Sequence, residues 1–216
     1  MSDAQHEFAD FLISSDVVEF GDFTLKSGRN SPYFFNFGKL SSARLLNKAA
    51  WFYARFISEN NLSPEVIFGP AYKGIPLGVA IALSLQRDFH TEVNYAFNRK
   101  EIKSYGDGGL MVGAALQHKR IVTVDDVITS GMTIDDSIKL IRAEGGLPAA
   151  YLVALDRQER GAEGPGSALQ RAAARLNIDI YSITTIGHIV SCLRDAPDAQ
   201  GKVRKIEIYL KEFGAE

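Results

Sequence analysis

Residues 121–135 read IVTVDDVITSGMTID. Four β-prone residues run into two adjacent acids, Asp125 and Asp126; a small-polar turn follows, and then a helical pattern opens. A short β-branched run of this kind fits a buried strand. Two carboxylates at its end need a purpose, because an unpaired buried charge is costly. Three chemistries use such a pair: metal-dependent nucleotide hydrolysis, aspartyl phosphorylation and sugar-phosphate binding.

The flanking sequence repeats the strand-then-helix rhythm. Residues 5–14 read as a short helix and 17–37 as irregular strands separated by glycines. Residues 41–59 carry apolar side chains at 45, 46, 49, 50, 52, 53, 56 and 57, a stripe of helical period. Strands are expected at 65–69, 92–97, 120–126, 149–156 and 178–185, with helices at 74–86, 133–146 and 167–176. The tail, 201–216, reads as a final amphipathic helix. Such alternation argues for an α/β fold with a parallel sheet wrapped by helices. Ligands in these sheets bind beyond the carboxyl ends of the strands, which marks 70–73, 99–103, 125–131 and 156–160. One segment breaks the rhythm: 98–113, NRKEIKSYGDGGLMVG, reads as a long charged loop, with a solvated hairpin as the plainer alternative.

Bulk composition narrows the field. The 216 residues suffice for one α/β domain, and 24 basic against 26 acidic residues leave a formal charge of −2. That balance gives no basis for nucleic-acid binding, so any phosphate site must come from local clustering. The single cysteine, Cys192, excludes an internal disulfide and sits among apolar neighbours as a buried thiol would. The acidic start has no signal-peptide character, and no apolar run approaches the ~20 residues of a membrane span. The expectation is a cytoplasmic, soluble protein.

The acidic pair can now be tested. Nucleotide hydrolysis would need a phosphate loop of the form G-x-x-x-x-G-K-[ST], and none is present. An aspartate-nucleophile phosphatase would place its acids as D-x-D. A receiver domain would carry its pair at the first strand, whereas 124 residues precede this one. Sugar-phosphate binding fits better. Successive strand side chains point to opposite sides, so Asp125 and Asp126 should play different parts, at least one of them accepting from ribose hydroxyls. The following residues, Val127 to Thr133, end at a helix N-terminus whose free amides and dipole suit a phosphate. Thr129, Ser130 and Thr133 add hydroxyl donors, and Gly131 lets backbone approach the anion.

Residues 121–133, four mostly apolar residues, two acids, two apolar residues and then Thr-Ser-Gly-Met-Thr, resemble the 5-phosphoribosyl-1-diphosphate (PRPP) signature of type I phosphoribosyltransferases. That likeness implies the type I phosphoribosyltransferase fold, a mostly parallel central sheet flanked by helices with a small N-terminal hood. In such a single domain residues 1–40 contribute the hood over the base site and 98–113 a mobile catalytic loop. Loss of diphosphate from C1 leaves an oxocarbenium-like centre, so the chemistry demands clustered cations and Mg²⁺. The loop supplies Arg99, Lys100 and Lys103, and Lys73 follows a strand end. Mg²⁺ leans on substrate oxygens, with Asp125 or Asp126 as the acid to reach it through water; the four histidines show no metal spacing.

Further segments, FTLKSGRNSPYFFN (23–36), FGPAYKGIPL (68–77), FNRKE (97–101) and LDRQERG (155–161), look like those of the orotate phosphoribosyltransferase family. The resemblance implies a transferase that makes orotidine 5′-phosphate in pyrimidine (UMP) synthesis. It places Lys26, Lys103, Asp125 and Asp126 in catalysis, and Tyr72 and Lys73 on a diphosphate loop that often holds a non-proline cis peptide. The signature turn, Val127, Ile128 and Thr129 to Met132 and Thr133, would bind the donor. Lys26, Phe34 and Phe35 would line the base end, with Thr129 near the base and Arg157 on the orotate carboxylate. It also implies a homodimer with loop residues shared between subunits. Tyr105 stands where many relatives carry a histidine, so it is expected to be a neutral contact only. A phosphoribosyltransferase for another base, and a PRPP-binding regulator, remain as alternatives.

Overall fold

The computed structural model describes residues 3–25, 28–103, 109–128, 132–160 and 166–215. Six strands form the main sheet: β3 (Val66–Phe68), β4 (Asn94–Lys103), β5 (Gly109–Gly113), β6 (Arg120–Val127), β7 (Leu147–Asp156) and β8 (Asp179–Thr185). Their order is β5-β4-β3-β6-β7-β8, parallel throughout except for the antiparallel β4–β5 edge.

Strand alternation sorts the core into two faces. Ile67, Val122, Val124, Leu152 and Ala154 pack with the helices α1 (Asp3–Ser14), α2 (Ala43–Glu59) and α3 (Gly74–Phe89). On the other face, Tyr151, Val153 and Ile180 meet Ile134 and Ile138 of α4 (Met132–Ala143) and Ala172 of α5 (Ala168–Leu176). Both faces are covered, which is why the strands read as almost continuous apolar runs.

Residues 18–35 form a separate antiparallel hairpin, β1 (Val18–Thr24) with β2 (Asn30–Phe35). The hairpin is regular apart from one register shift between Phe20 and Phe23, tidier than the glycine-broken strands expected there. It packs against the C-terminal helix α7 (Gln200–Phe213), whose Tyr209 ring meets Tyr33 edge-on at 6.0 Å. Before it comes α6 (Ile186–Arg194), a helix absent from the sequence-based expectations. It follows β8 without a loop, because Thr185 ends the strand and caps the helix in a reciprocal box with His188.

Segment 98–113 corrects the loop expectation. Both arms are strands: Phe97 pairs with Val112, Asn98 with Met111 and Lys103 with Gly109. The tip, 104–108, lies outside the described residues. Paired backbone is compatible with a run of charges because β3 pairs only with Asn94–Ala96, so the charged end of β4 runs past it with β5 as its single neighbour.

The topology fixes where a ligand belongs. From β3 the chain crosses by α3 to β4 on one side, and from β6 by α4 to β7 on the other. The strand order therefore reverses between the neighbours β3 and β6, and a crevice opens beyond their carboxyl ends. The residues there are 69–73 and 125–128. No described helix is long and apolar enough to cross a membrane.

Candidate active site

The loop after β3 is tight. A Cβ built on Gly69 would lie 2.0 Å from the Gly74 carbonyl oxygen, and one on Gly74 would meet Pro70 Cδ at 2.7 Å. Only glycine lets the strand end and the start of α3 approach this closely. The loop is held sideways as well, since the Ala71 amide donates to Asn98 Oδ1 of β4 at 3.0 Å. The Ala71–Tyr72 peptide bond is cis.

This loop delivers two side chains to the crevice. Lys73 reaches across so that Nζ lies 2.9 Å from Asp126 Oδ2. Tyr72 is 65% exposed, and the Lys100 ammonium sits 4.7 Å from its ring centroid. Arg99 instead donates back to the carbonyls of Gly109 and Met111, bracing the two hairpin arms.

The acidic pair divides as strand geometry requires. Asp125 turns toward β7, where its Oδ2 accepts from the Tyr151 hydroxyl at 2.9 Å and its Oδ1 from the Asp126 amide at 2.9 Å. Its carbonyl accepts from the Tyr53 hydroxyl of α2 at 2.7 Å. Burial, reinforced by the Asp126 charge, pushes its carboxyl up to about 6. Asp126 turns the other way, toward Lys73, with its Oδ1 accepting from the Val127 amide at 2.8 Å. Asp125 is thus fastened by fixed groups, whereas Asp126 holds a lysine whose side chain is 60% exposed and replaceable.

Beyond Val127 and Ile128, residues 129–131 lie outside the described residues, and α4 begins at Met132 with Thr133 exposed in its first turn. The end of β6 and the start of α4 stand on either side of residues 129–131, in the order expected for a phosphate site. Of the expected site residues, Lys26, Tyr105, Thr129, Ser130 and Gly131 lie outside the described residues. So do the side chains of Lys103 and Met132.

Arg157 lies just past β7, at the same edge of the sheet. It is buried, stacked 4.2 Å over the Tyr33 ring, and its Nη2 donates to Ser31 Oγ at 3.1 Å. Its closest partner is one that sequence reasoning missed: Glu159 Oε1 accepts from Arg157 Nε at 2.8 Å and lies 2.6 Å from Nη2. Strand β2 separates the two expected phenylalanines. Phe34 is 40% exposed and lies 5.6 Å from Phe23, whereas Phe35 turns inward and is 5% exposed in the core. Phe34 therefore presents its ring to solvent, whereas the Phe35 ring belongs to the core.

Among the described residues there is no cluster of three or more metal-ligating side chains. The two carboxylates fit a Mg²⁺ that a substrate carries, reached through water, and not one caged by protein.

Residues 39–164 match the model of the phosphoribosyl transferase domain. The orotate phosphoribosyltransferase of Nitrosococcus oceani is 44% identical over all of this chain and 98% of its own. This chain belongs to the orotate phosphoribosyltransferase family. An Escherichia coli member is 42% identical over 99% of this chain and 100% of its own length. The crystal structure of the Francisella tularensis member superposes with a TM-score of 0.85 at 33% identity, covering 97% of this chain and 100% of that one. The Mycobacterium tuberculosis orotate phosphoribosyltransferase, solved in complex with PRPP, shares the fold at 18% identity with a TM-score of 0.64.

Proposed function

We propose that this chain is an orotate phosphoribosyltransferase in action as well as in family. It moves the 5-phosphoribosyl group from PRPP to orotate, releasing diphosphate and orotidine 5′-phosphate for pyrimidine synthesis. The observation that carries this reading is the crossing of Lys73 to Asp126 at the point where strand order reverses. A sugar diphosphate offers each of these residues a better partner than the other.

The donor's parts map onto the crevice. Its 5-phosphate belongs at the N-terminus of α4, where free amides and the helix dipole favour an anion and the signature Thr129, Ser130 and Thr133 would add hydroxyl donors. The ribose hydroxyls belong to the acidic pair. Asp126 is the acid whose partner can be displaced, so it is the one assigned to the sugar, with Asp125 behind it as a fixed support. The diphosphate takes Lys73 and Lys100 together with the backbone around Tyr72. Bound Mg²⁺ would neutralise charge on the diphosphate oxygens as it leaves.

At the reacting carbon, an orotate ring nitrogen forms a bond to C1 as the bond from C1 to diphosphate oxygen breaks, and the proton that nitrogen carried passes to water or to the departing diphosphate. Positive charge gathers on the ribose and negative charge on the leaving group. The protein acts by placing carboxylates beside the former and ammonium groups beside the latter in a site from which water is excluded. Phe34 and Arg157 take orotate by its ring and its carboxylate. We assign the 98–113 hairpin as the cover for the diphosphate, and read the enzyme as a homodimer in which that hairpin is shared.

The decisive experiment mixes the protein with PRPP, Mg²⁺ and orotate and follows loss of orotate absorbance. Turnover with orotate is expected. Turnover with uracil or a purine but none with orotate would overturn the substrate, and PRPP binding with no turnover of any base would leave a regulator.

A further inference from the structure

We infer that Glu159 is a positioning residue for base recognition, fixing the Arg157 guanidinium so that one edge of it alone is offered to the substrate carboxylate. The inference rests on the assignment of Arg157 to orotate made above and extends it to a residue whose own place is behind the site.

An arginine side chain has four rotatable bonds and a planar fork of five N–H donors, so an unheld one gives little directional recognition. Here each degree of freedom is taken up. Glu159 Oε1 binds the side-on edge of the fork, accepting from Nε at 2.8 Å and lying 2.6 Å from Nη2. The remaining reach of Nη2 goes to Ser31 Oγ at 3.1 Å, and that hydroxyl donates in turn to the Tyr33 carbonyl at 2.7 Å. Tyr33 covers one face of the guanidinium at 4.2 Å, and its hydroxyl donates to the same Glu159 oxygen at 3.0 Å. None of these contacts engages Nη1. A carboxylate arriving at Arg157 is therefore directed to Nη1, the nitrogen that none of these contacts uses.

Glu159 is itself held. Its backbone bridges Gly214, the adjacent Arg160 amide donates to the Phe213 carbonyl at 2.7 Å, and the Ala215 amide donates to the Gln158 carbonyl at 2.8 Å. Arg29 of the hood lies 3.9 Å from Glu159 Oε2, packs over the Phe213 ring and donates to the Arg160 carbonyl at 3.0 Å. Hood, β7 exit and C-terminal tail thus converge on one carboxylate whose side chain is 13% exposed. A surface ion pair has no such scaffold. A buried one that does is suited to setting geometry.

The test is a double-mutant cycle read in steady-state kinetics. Glu159→Gln keeps the shape and removes the charge; it is expected to raise KM for orotate about fivefold or more, with KM for PRPP within about twofold of wild type. In an Arg157→Ala background the same change should have no further effect on orotate KM. Tyr33→Phe, which keeps the stacked ring and deletes one donor to Glu159, should move orotate KM in the same direction and carries the test if Glu159→Gln fails to fold. An unchanged orotate KM in a Glu159→Gln enzyme, or an equal shift with and without Arg157, would overturn the inference. If Arg157→Ala alone leaves orotate KM unchanged, the assignment of Arg157 to the carboxylate falls instead.

Discussion

Lys73 and Asp126 are joined across the crevice between β3 and β6, with Nζ 2.9 Å from Oδ2. Lys73 reaches it from the loop after β3 and Asp126 from the end of β6, and the sheet's reversal of order brings them together. The pair is half exposed on the lysine side, so it contributes little to stability, in the range of about 0–1 kcal/mol. Its value lies in being exchangeable. Lys73→Ala should therefore leave the melting temperature nearly unchanged and raise KM for PRPP about tenfold or more, with a smaller change in KM for orotate. Equal rises for both substrates would show that Lys73 holds the whole site together instead of the donor.

A second prediction concerns acid. The Asp125 carboxyl stands at about 6 in the fold, against 3.8 for the free side chain. Its folded value is raised, so the unfolded chain gives up this proton first as pH rises. The stability it contributes is complete below about pH 4 and is lost as pH climbs to about 6, an effect on the order of 3 kcal/mol. Asp125→Asn removes the titration. Urea unfolding without substrate or metal should show the variant gaining on wild type between pH 4 and 7. Parallel pH profiles for the two proteins would refute this.

The Gly69–Gly74 approach makes a third. Gly69→Ala puts a methyl group 2.0 Å from a carbonyl oxygen, and that oxygen belongs to backbone. The loop from 70 to 73 must move, taking Lys73 with it. Expected are a melting temperature several degrees lower and PRPP affinity reduced about tenfold or more. Retention of wild-type PRPP affinity would mean that the loop tolerates displacement.

The hairpin cations give a fourth. Lys103→Ala should slow turnover about tenfold or more, ~1.4 kcal/mol in the barrier, while Tyr105→Phe should cost little. Mixing the impaired Lys73→Ala and Lys103→Ala proteins, at PRPP low enough that each retains little activity, then asks where Lys103 works. If it acts on the neighbouring subunit, a mixed dimer holds one intact site, and statistical exchange returns about a quarter of wild-type activity. Failure to regain activity after verified exchange would place Lys103 in its own subunit's site.

Much of this was legible in residues 121–135 and their rhythm. The order of strands and helices and the opposite sides taken by Asp125 and Asp126 follow from periodicity and local geometry. What escaped has identifiable causes. The β4–β5 arms read as loop because charges and glycines conceal pairing that only a partner strand supplies. Helix α6 went unseen because Thr185 serves two elements at once, although Thr185 and His188 stand at capping-box spacing. Glu159 stood in view within LDRQERG, yet its partner Tyr33 is 126 residues away, and no local pattern announces such a contact. Phe34 and Phe35 differ only in parity on a strand, which the hairpin register decides.

The bridge between Glu159 and Gly214 has a consequence for assembly in time. The crevice that holds Lys73 and Asp126 lies between β3 and β6, which can pair once the chain as far as β6 has left the ribosome. The Arg157–Glu159 cluster joins the β1–β2 hairpin to the end of α7, more than a hundred residues further on, so its closure waits for that helix. Contacts of such long sequence separation form late and slowly. A chain stalled before α7 would already hold Lys73 against Asp126, yet it would lack the tail that backs Glu159. Competence to grip the sugar diphosphate would then precede competence to choose a base.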